Sequence, residues 1–407
     1  MKELTIEKDP PEPPGRDWMS FEPSTAQETL SILSYNILCD KYATRAHYGY
    51  TPSRALMWDN RKERILHEIS FHDADIICLQ EVDRESFQTY FYDHLGEKGY
   101  KGFFYPKSRA KTMAEAEAKL VDGCAIFFKN QKYNCLDKMV VDFGSSAINR
   151  SDMKGEHDIF NRVMPRDNIS VVALLENRVT GTRYMIGNAH IFWDPTFADV
   201  KLVQVAILME AIAKKAEEWS RRPAYSGKAA SRHGNEDSTD GTLEETNRHN
   251  DTVEYNSGTQ IPLILCGDFN SDHTSGVHEL ITRGELSGAH EDLTSRSYGN
   301  FTRDGMYHPF KLKSAYNMIG ELNFTNYTPN FTGVIDYIWY SYNAMEVRGL
   351  LGNVDDQYLR RVPGFPNIHF PSDHLALKAE FGVRSSKAAV LGKGVSLNEK
   401  DGGEMRD

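Results

Sequence analysis

The apolar residues of this chain fall in short, nearly unbroken runs. SILSY (31–35), DIICL (75–79), CAIFF (124–128), SVVALL (170–175), YMIGNAH (184–190), PLILC (262–266) and VIDYIWY (334–340) are each of strand length. Runs of this kind suit strands covered on both faces. LALKAEF (375–381) alternates instead, with Leu375, Leu377, Ala379 and Phe381 on one face and Lys378 and Glu380 on the other. Helical spacing is found in RKERILHEI (61–69) and VKLVQVAILMEAIAKKAEEW (200–219). Many strands and few long helices predict an α/β fold of stacked sheets covered by helices.

Three stretches are too polar to join that core. Residues 1–28 are rich in Pro and charge (DPPEPPG) and read as a linker, and 384–407 read as a polar C-terminal tail. Residues 220–258 contain one Leu, one Val and no Ile, Phe, Met or Trp, which reads as a disordered insertion. The remainder, 29–383, is expected to form one domain.

A net charge of −11 disfavours a broad basic groove, so a nucleic-acid substrate would be gripped at few points or through bound metal. There is no run of 18 apolar residues, and MKELTIEKDPPEPPGRDW lacks the hydrophobic core of a signal peptide. The five cysteines include no C-x-x-C pair, and Cys78 and Cys266 lie in apolar runs that suit reduced, buried thiols. These features predict a soluble, intracellular protein with no membrane partner.

Polar residues able to hold a hard cation sit where the predicted strands end. SILSY runs into Asn36, IICLQ into Glu81 and YMIGNA into His190; LILCG delivers Asp268 and Asn270, and Asp373-His374 opens the last strand. Each has an ordinary structural explanation when taken alone, as a turn, a cap or a satisfied core histidine. Asp336, between Ile335 and Tyr337, is harder to explain that way, because an unpaired buried charge is costly. In GDFNS, Asp268 and Asn270 share one side of an extended segment and offer two oxygen ligands. Carboxylate and amide oxygens without a thiolate cluster suit Mg²⁺ or Mn²⁺.

Asn36, Gln80-Glu81, His190, the Gly-Asp-Phe-Asn run 267–270, Asp336-Tyr337 and Ser372-Asp373-His374, in this order, resemble the endonuclease/exonuclease/phosphatase superfamily. SYNILCDKYAT (34–44), VDGCAIFFK (121–129), IFWDP (191–195) and HPFKLKSAY (308–316) are similar to its carbon catabolite repressor-type poly(A) deadenylases. The resemblance spans about residues 25–383. It implies a four-layer sandwich of two mixed β-sheets flanked by helices, and a Mg²⁺-dependent 3′-to-5′ exoribonuclease that shortens poly(A) tails and releases 5′-AMP. It also implies a catalytic subunit within a multi-protein deadenylase complex, in the cytoplasm and also the nucleus. In that family a leucine-rich-repeat region precedes the nuclease and recruits partners; this chain lacks it and reads as the nuclease part alone.

The resemblance further implies roles, with two Mg²⁺ expected and Mn²⁺ as a substitute. Glu81 would ligate the first ion, with Asn36 helping to hold it or the phosphate, and Asp268 the second, with Asp373 as a further metal-side residue. Asp268 would take the proton of the attacking water, His374 would touch a phosphate oxygen as either a base or a charged stabiliser, Asp336 would fix the tautomer of His374, and His190 would support the phosphate. Asn270 would contact the nucleotide or the phosphate, Pro195 and Phe331 would flank the terminal adenine, and Asn326 and Glu117 would add contacts to it. The alternatives are another phosphoesterase of the superfamily, or an inactive scaffold that binds RNA or protein.

Overall fold

The computed structural model describes residues 10–21, 26, 28–223 and 253–384. Two mixed sheets carry the fold. Along the chain run β1 (Trp18–Ser20), β2 (Glu28–Asn36), β3 (Ile76–Asp83), β4 (Tyr100–Pro106), β5 (Asp122–Lys129), β6 (Tyr133–Asp142), β7 (Ile169–Asn177), β8 (Arg183–His190) and β9 (Leu263–Asp268). They are followed by β10 (Glu285–Leu286), β11 (Met306–Tyr307), β12 (Leu312–Ser314), β13 (Asn326–Thr328), β14 (Phe331–Gly333), β15 (Asp336–Ser341), β16 (Met345–Leu351) and β17 (Leu377–Val383). The seven-stranded sheet has the order β1-β16-β17-β2-β3-β5-β4, and the six-stranded sheet the order β12-β15-β9-β8-β7-β6. β10–β11 and β13–β14 are separate two-stranded pairs.

Each large sheet contains one parallel pair, β2–β3 in one and β8–β9 in the other, and all their other pairings are antiparallel. A parallel pair needs a crossover. Helix Trp58–His72 lies in the connection between β2 and β3, and helix Ala198–Ser220 in that between β8 and β9. These are the two helices predicted from spacing.

Side-chain alternation builds the layers. Ile264 and Cys266 of β9 face the other sheet, in a core shared with Ile76 and Cys78 of β3 and Ile126 of β5. Leu263 and Leu265 point the opposite way, onto Val203, Leu208 and Ile212 of helix Ala198–Ser220. Likewise Ile77 and Leu79 of β3 meet Ile65 and Ile69 of helix Trp58–His72. Strands buried on both faces are why these segments read as continuous apolar runs. The result is the four-layer α/β sandwich, helix–sheet–sheet–helix.

The strands that the apolar runs did not reveal lie mostly at sheet borders. β4 and β6 are edge strands, and β6 mixes exposed, half-buried and buried positions because one face is largely solvated. Within the stretch read as a linker, Trp18–Ser20 pairs with Leu351 to Gly349, and the Arg16 guanidinium donates to the carbonyls of Gly352 (2.8 Å) and Ala376 (2.6 Å). Residues 16–21 are therefore tied to the sheet, a correction to that reading. Most of the predicted insertion, residues 224–252, and of the predicted tail, 385–407, lies outside the described residues.

Candidate active site

Asp268 is the last residue of β9, and its neighbours in register are His190, the last residue of parallel β8, and Asp336, the first residue of antiparallel β15. Three functional groups thus stand abreast at one end of the six-stranded sheet. The close approach of β8 and β9 here demands glycine at 267, where φ is +145° and a Cβ would lie 1.9 Å from the Ala189 carbonyl oxygen. Asn270, two residues on, takes φ +48°, and its backbone N–H donates to Asp268 Oδ1 at 2.9 Å.

The seven-stranded sheet contributes the opposite wall from the ends of its own parallel pair. Asn36 closes β2. Glu81 is the extra residue of a β-bulge between Gln80 and Val82 opposite β5, with φ +60°. A bulge re-aims the side chain it carries. Here that side chain joins Asn36, whose amide donates to Glu81 Oε1 (3.2 Å) and Asp268 Oδ2 (3.0 Å) and lies 3.5 Å from His374 Nε2. Asn36 Oδ1 and Glu81 Oε2 accept from the backbone N–H groups of Leu38 and Cys39. Both carboxylates are therefore held by one buried amide.

His374 lies in the loop before β17 and is anchored by a bridge to Asn326. Its Nδ1 is 2.8 Å from Asp336 Oδ2, which also accepts from Thr325 Oγ1 at 2.7 Å. With Nδ1–H directed at Asp336, Nε2 is the atom facing Asp268 Oδ2 at 3.7 Å. His190 Nε2 faces the same oxygen at 3.7 Å and Glu81 Oε1 at 3.9 Å.

The two imidazoles are driven to opposite charge states. Burial works against a charged His374, but Asp336, Asp373 and Asp268 outweigh it and raise it well above the ordinary range. Burial and the nearby Lys107 ammonium hold His190 well below that range, so it stays neutral. Burial, then Asp336, pushes Asp268 up to about 7. Burial, then Asp122, also raises Glu81.

These are carboxylates short of positive charge. Ligand atoms of Asp268, Asp336 and His374 lie within 4.8 Å of one another, and Glu81 adds a further carboxylate oxygen across the Asn36 amide. Carboxylate oxygens, and a neighbouring Cys39 thiol whose ionisation burial opposes, fit a hard divalent cation rather than a thiophilic one.

Other expected residues stand apart from this cluster. Asp373 turns its Oδ2 to the Tyr48 hydroxyl (2.9 Å) and Asn326 Nδ2 (3.2 Å), while its Oδ1 is buried without a hydrogen-bond partner. Asn326 is thus buried, with its amide N–H already engaged. Asn270 Nδ2 donates to the Ile191 carbonyl at 3.0 Å. Pro195 begins the 3₁₀ turn Pro195–Phe197 and is exposed, as is Phe331 on the β13–β14 hairpin. Glu117 is exposed on the short helix Glu115–Ala118.

Sequence reading missed one charged network. Buried Asp122 opens β5 and receives Lys107 Nζ (2.7 Å), the Arg109 guanidinium (2.7 Å) and the Tyr42 hydroxyl (2.8 Å). Its signal was Asp122 in VDGCAIFFK and Lys107 directly after β4, both at strand ends like the other site residues.

Residues 33–374 match the Endonuclease/Exonuclease/phosphatase family, and the chain belongs to it. It is 59% identical over 401 residues to the CCR4-Not complex 3′-5′-exoribonuclease subunit Ccr4 of Phaeosphaeria nodorum, covering 98% of this chain and 66% of that protein. It is 52% identical over 383 residues to the protein of the same name from Aspergillus oryzae, covering 94% of this chain and 51% of that one. The chain thus spans about half to two thirds of the length of these curated relatives. Among solved structures it resembles ANGEL2, a 2′,3′-cyclic phosphatase, in complex with adenosine-2′,3′-vanadate, with a TM-score of 0.65, 24% identity, and 90% and 98% of the two chains covered. It also resembles the human Nocturnin catalytic domain with bound sulfate, with a TM-score of 0.55, 21% identity, and 91% and 98% covered. At these identities the likeness is one of fold.

Proposed function

We propose that this protein is a Mg²⁺-dependent 3′-to-5′ exoribonuclease that shortens poly(A) tails and releases 5′-AMP. The observation that carries the reading is the convergence of Glu81, Asp268 and His374 on the single amide of Asn36. It is joined by the likeness, at 50–59% identity, to fungal proteins named 3′-5′-exoribonuclease subunits of the CCR4-Not complex. By the same likeness the chain would work within such a multi-protein complex; the cytoplasm, and also the nucleus, is the proposed location. Among the described residues no helix is long and apolar enough to cross a membrane.

Glu81 would hold one Mg²⁺, with the Asn36 amide orienting its carboxylate, and Asp268 a second, with Asp373 a more distant contributor. When bound, the metal neutralises phosphate charge and stabilises the leaving oxygen. Asp268, with the Nε2 atoms of His374 and His190 each 3.7 Å from its Oδ2, is placed to accept the proton of an attacking water. His374, kept cationic by Asp336, presents Nε2 as a charged donor to a phosphate oxygen; this favours stabiliser over base. Neutral His190 supplies a second, uncharged donor. Two histidines with opposite charge states give one site both roles.

For the base, exposed Pro195 and Phe331 would sandwich the terminal adenine, with Asn326, Asn270 and Glu117 as polar contacts. A panel of substrates tests the reading: an A-tailed RNA, a U-tailed RNA, a nucleoside 2′,3′-cyclic phosphate, an inositol phosphate and an abasic DNA, each with Mg²⁺ and with a chelator. Mg²⁺-dependent turnover of the A-tailed RNA above all others is expected. A preference for a non-RNA ester would favour another phosphoesterase, and inertness towards every substrate would favour a scaffold.

A further inference from the structure

Trp193 is 67% exposed, against 0% for Trp219 and Trp339. A single exposed indole needs no partner to explain it; what marks Trp193 is its place three residues after His190, between two fixed stretches of backbone. The backbone around Trp193 is rigid on both sides. The Ile191 N–H donates to the Asp268 carbonyl (2.9 Å), the Phe192 N–H to Gln204 Oε1 (2.9 Å), and Asp194 Oδ1 accepts from Thr196 N–H (2.9 Å) and Oγ1 (2.7 Å). Trp193 follows His190 by three residues, so their Cα atoms are no more than about 11 Å apart.

A second, independent feature lies beside it. The Arg166 guanidinium carbon sits 4.4 Å from the Phe192 ring centroid and 4.5 Å from that of Phe197, and the Phe192 ring in turn lies 6.1 Å from the Trp193 ring. Arg166 makes no side-chain hydrogen bond or ion pair among the described residues, and its Nε is buried without a partner. Its neighbour Arg162 stacks on the same Phe197 ring but is paired with Asp199 at 2.7 Å. Arg166 is thus a stacked cation whose guanidinium makes no side-chain hydrogen bond among the described residues and whose charge joins the Thr196 hydrogen bonds in holding the Asp194 carboxyl low, one aromatic ring away from Trp193, in a chain of net charge −11.

An exposed aromatic face and a guanidinium that flank the same Phe192 ring form a minimal unit that can grip single-stranded nucleic acid, through one base and one phosphate. We propose that Trp193 and Arg166 form a subsite for the penultimate nucleotide, with its base stacked on the indole and a phosphate on the guanidinium. The proposal rests on the exoribonuclease reading above. Pro195, two residues further on and at most about 7 Å away Cα to Cα, is left for the terminal adenine. The subsite would set the register of the strand, so that the scissile bond falls beside Asp268.

The test compares an A-tailed RNA of twelve nucleotides with the same RNA lacking the penultimate base, using wild type, Trp193→Ala, Trp193→Phe and Arg166→Gln. For wild type, removing the base raises KM on the order of tenfold. For Trp193→Ala, KM on the intact RNA is already raised by that factor and removing the base adds little, while Trp193→Phe restores most of the difference. Arg166→Gln lowers the slope of log KM against log salt by about 0.7, the value for one phosphate of a single strand. Equal and multiplicative losses from the mutation and the missing base, or no effect of Trp193→Ala, would overturn the proposal. Equilibrium binding of the same two RNAs in chelator gives the answer without catalysis. If wild type cleaves no RNA, the functional reading fails, and a binding loss that tracks the penultimate base still decides the subsite; binding indifferent to Trp193 overturns it.

Discussion

Asp268 and Asp336 are register partners on antiparallel strands, two buried carboxylates directly opposite each other at the end of a sheet. Like charges so placed destabilise the fold that carries them. In metal-free protein the Asp268 carboxyl, pushed up to about 7 against about 3.9 in an unfolded chain, binds more protons folded than unfolded. Its contribution to stability is therefore complete below about pH 4 and is lost as pH rises towards 7. Asp268→Asn should raise the denaturant midpoint of metal-free protein at pH 8 by the equivalent of ~1 kcal/mol or more, with a smaller gain at pH 4. Denaturant melts in chelator at the two pH values check both the sign and the trend.

His374 depends on Asp336 for its tautomer and its charge. Asp336→Asn removes the negative charge that holds Nδ1–H, and the loss should appear in kcat, by about 10²–10⁴-fold. Rates on an A-tailed RNA at saturating Mg²⁺, alongside a circular-dichroism spectrum matching wild type, test this. A variant with near wild-type turnover would remove the dyad from the account.

Asn36 ties both sheets to one amide, so Asn36→Ala should uncouple Glu81 from Asp268. A rate loss of about 10²-fold or more and a higher Mg²⁺ requirement are expected. A Mg²⁺ titration of the initial rate reads both. An unchanged Mg²⁺ midpoint would argue that Asn36 does no more than brace the Leu38 turn.

Arg61 braces the site from behind. Buried on helix Trp58–His72, its NH1 donates to the carbonyls of Ile37 (3.1 Å), Leu38 (2.8 Å) and Pro371 (3.2 Å), and so joins the segments that follow Asn36 and precede Asp373. Arg61→Met leaves those buried carbonyls unsatisfied and should destabilise the fold by about 2–4 kcal/mol. Urea denaturation measures it. Arg61→Lys should recover only part, because an ammonium cannot reproduce the fork of the guanidinium.

The layered architecture was legible in the sequence because its central strands are buried on both faces, and runs such as LILCG and IICLQ therefore lack polar alternation. Asn36, His190 and Asp268 were legible because each is the polar residue that stops such a run, and the strand end then aims it into the cleft. What could not be read locally was pairing. Glu81 reaches the cluster through a bulge, which shows only against β5. Asp122, Lys107 and Arg109 meet across strands and loops, and nothing in their own neighbourhoods records one another. Asp373 looks like a free strand-end acid in sequence, yet folding commits one of its oxygens to Tyr48 and Asn326. Trp18–Ser20 was read as linker because a three-residue edge strand has too few residues to show a period.

The most direct measurement is a time course on a 5′-labelled RNA ending in twenty adenosines, resolved to single nucleotides, for wild type and Asp268→Ala with Mg²⁺ and for wild type in chelator. The account predicts a ladder that descends stepwise to the A-free body for wild type with Mg²⁺, and a rate at least ~10³-fold lower for Asp268→Ala and in chelator. Internal cuts by wild type, or an Asp268→Ala ladder that keeps pace with it, would contradict the account.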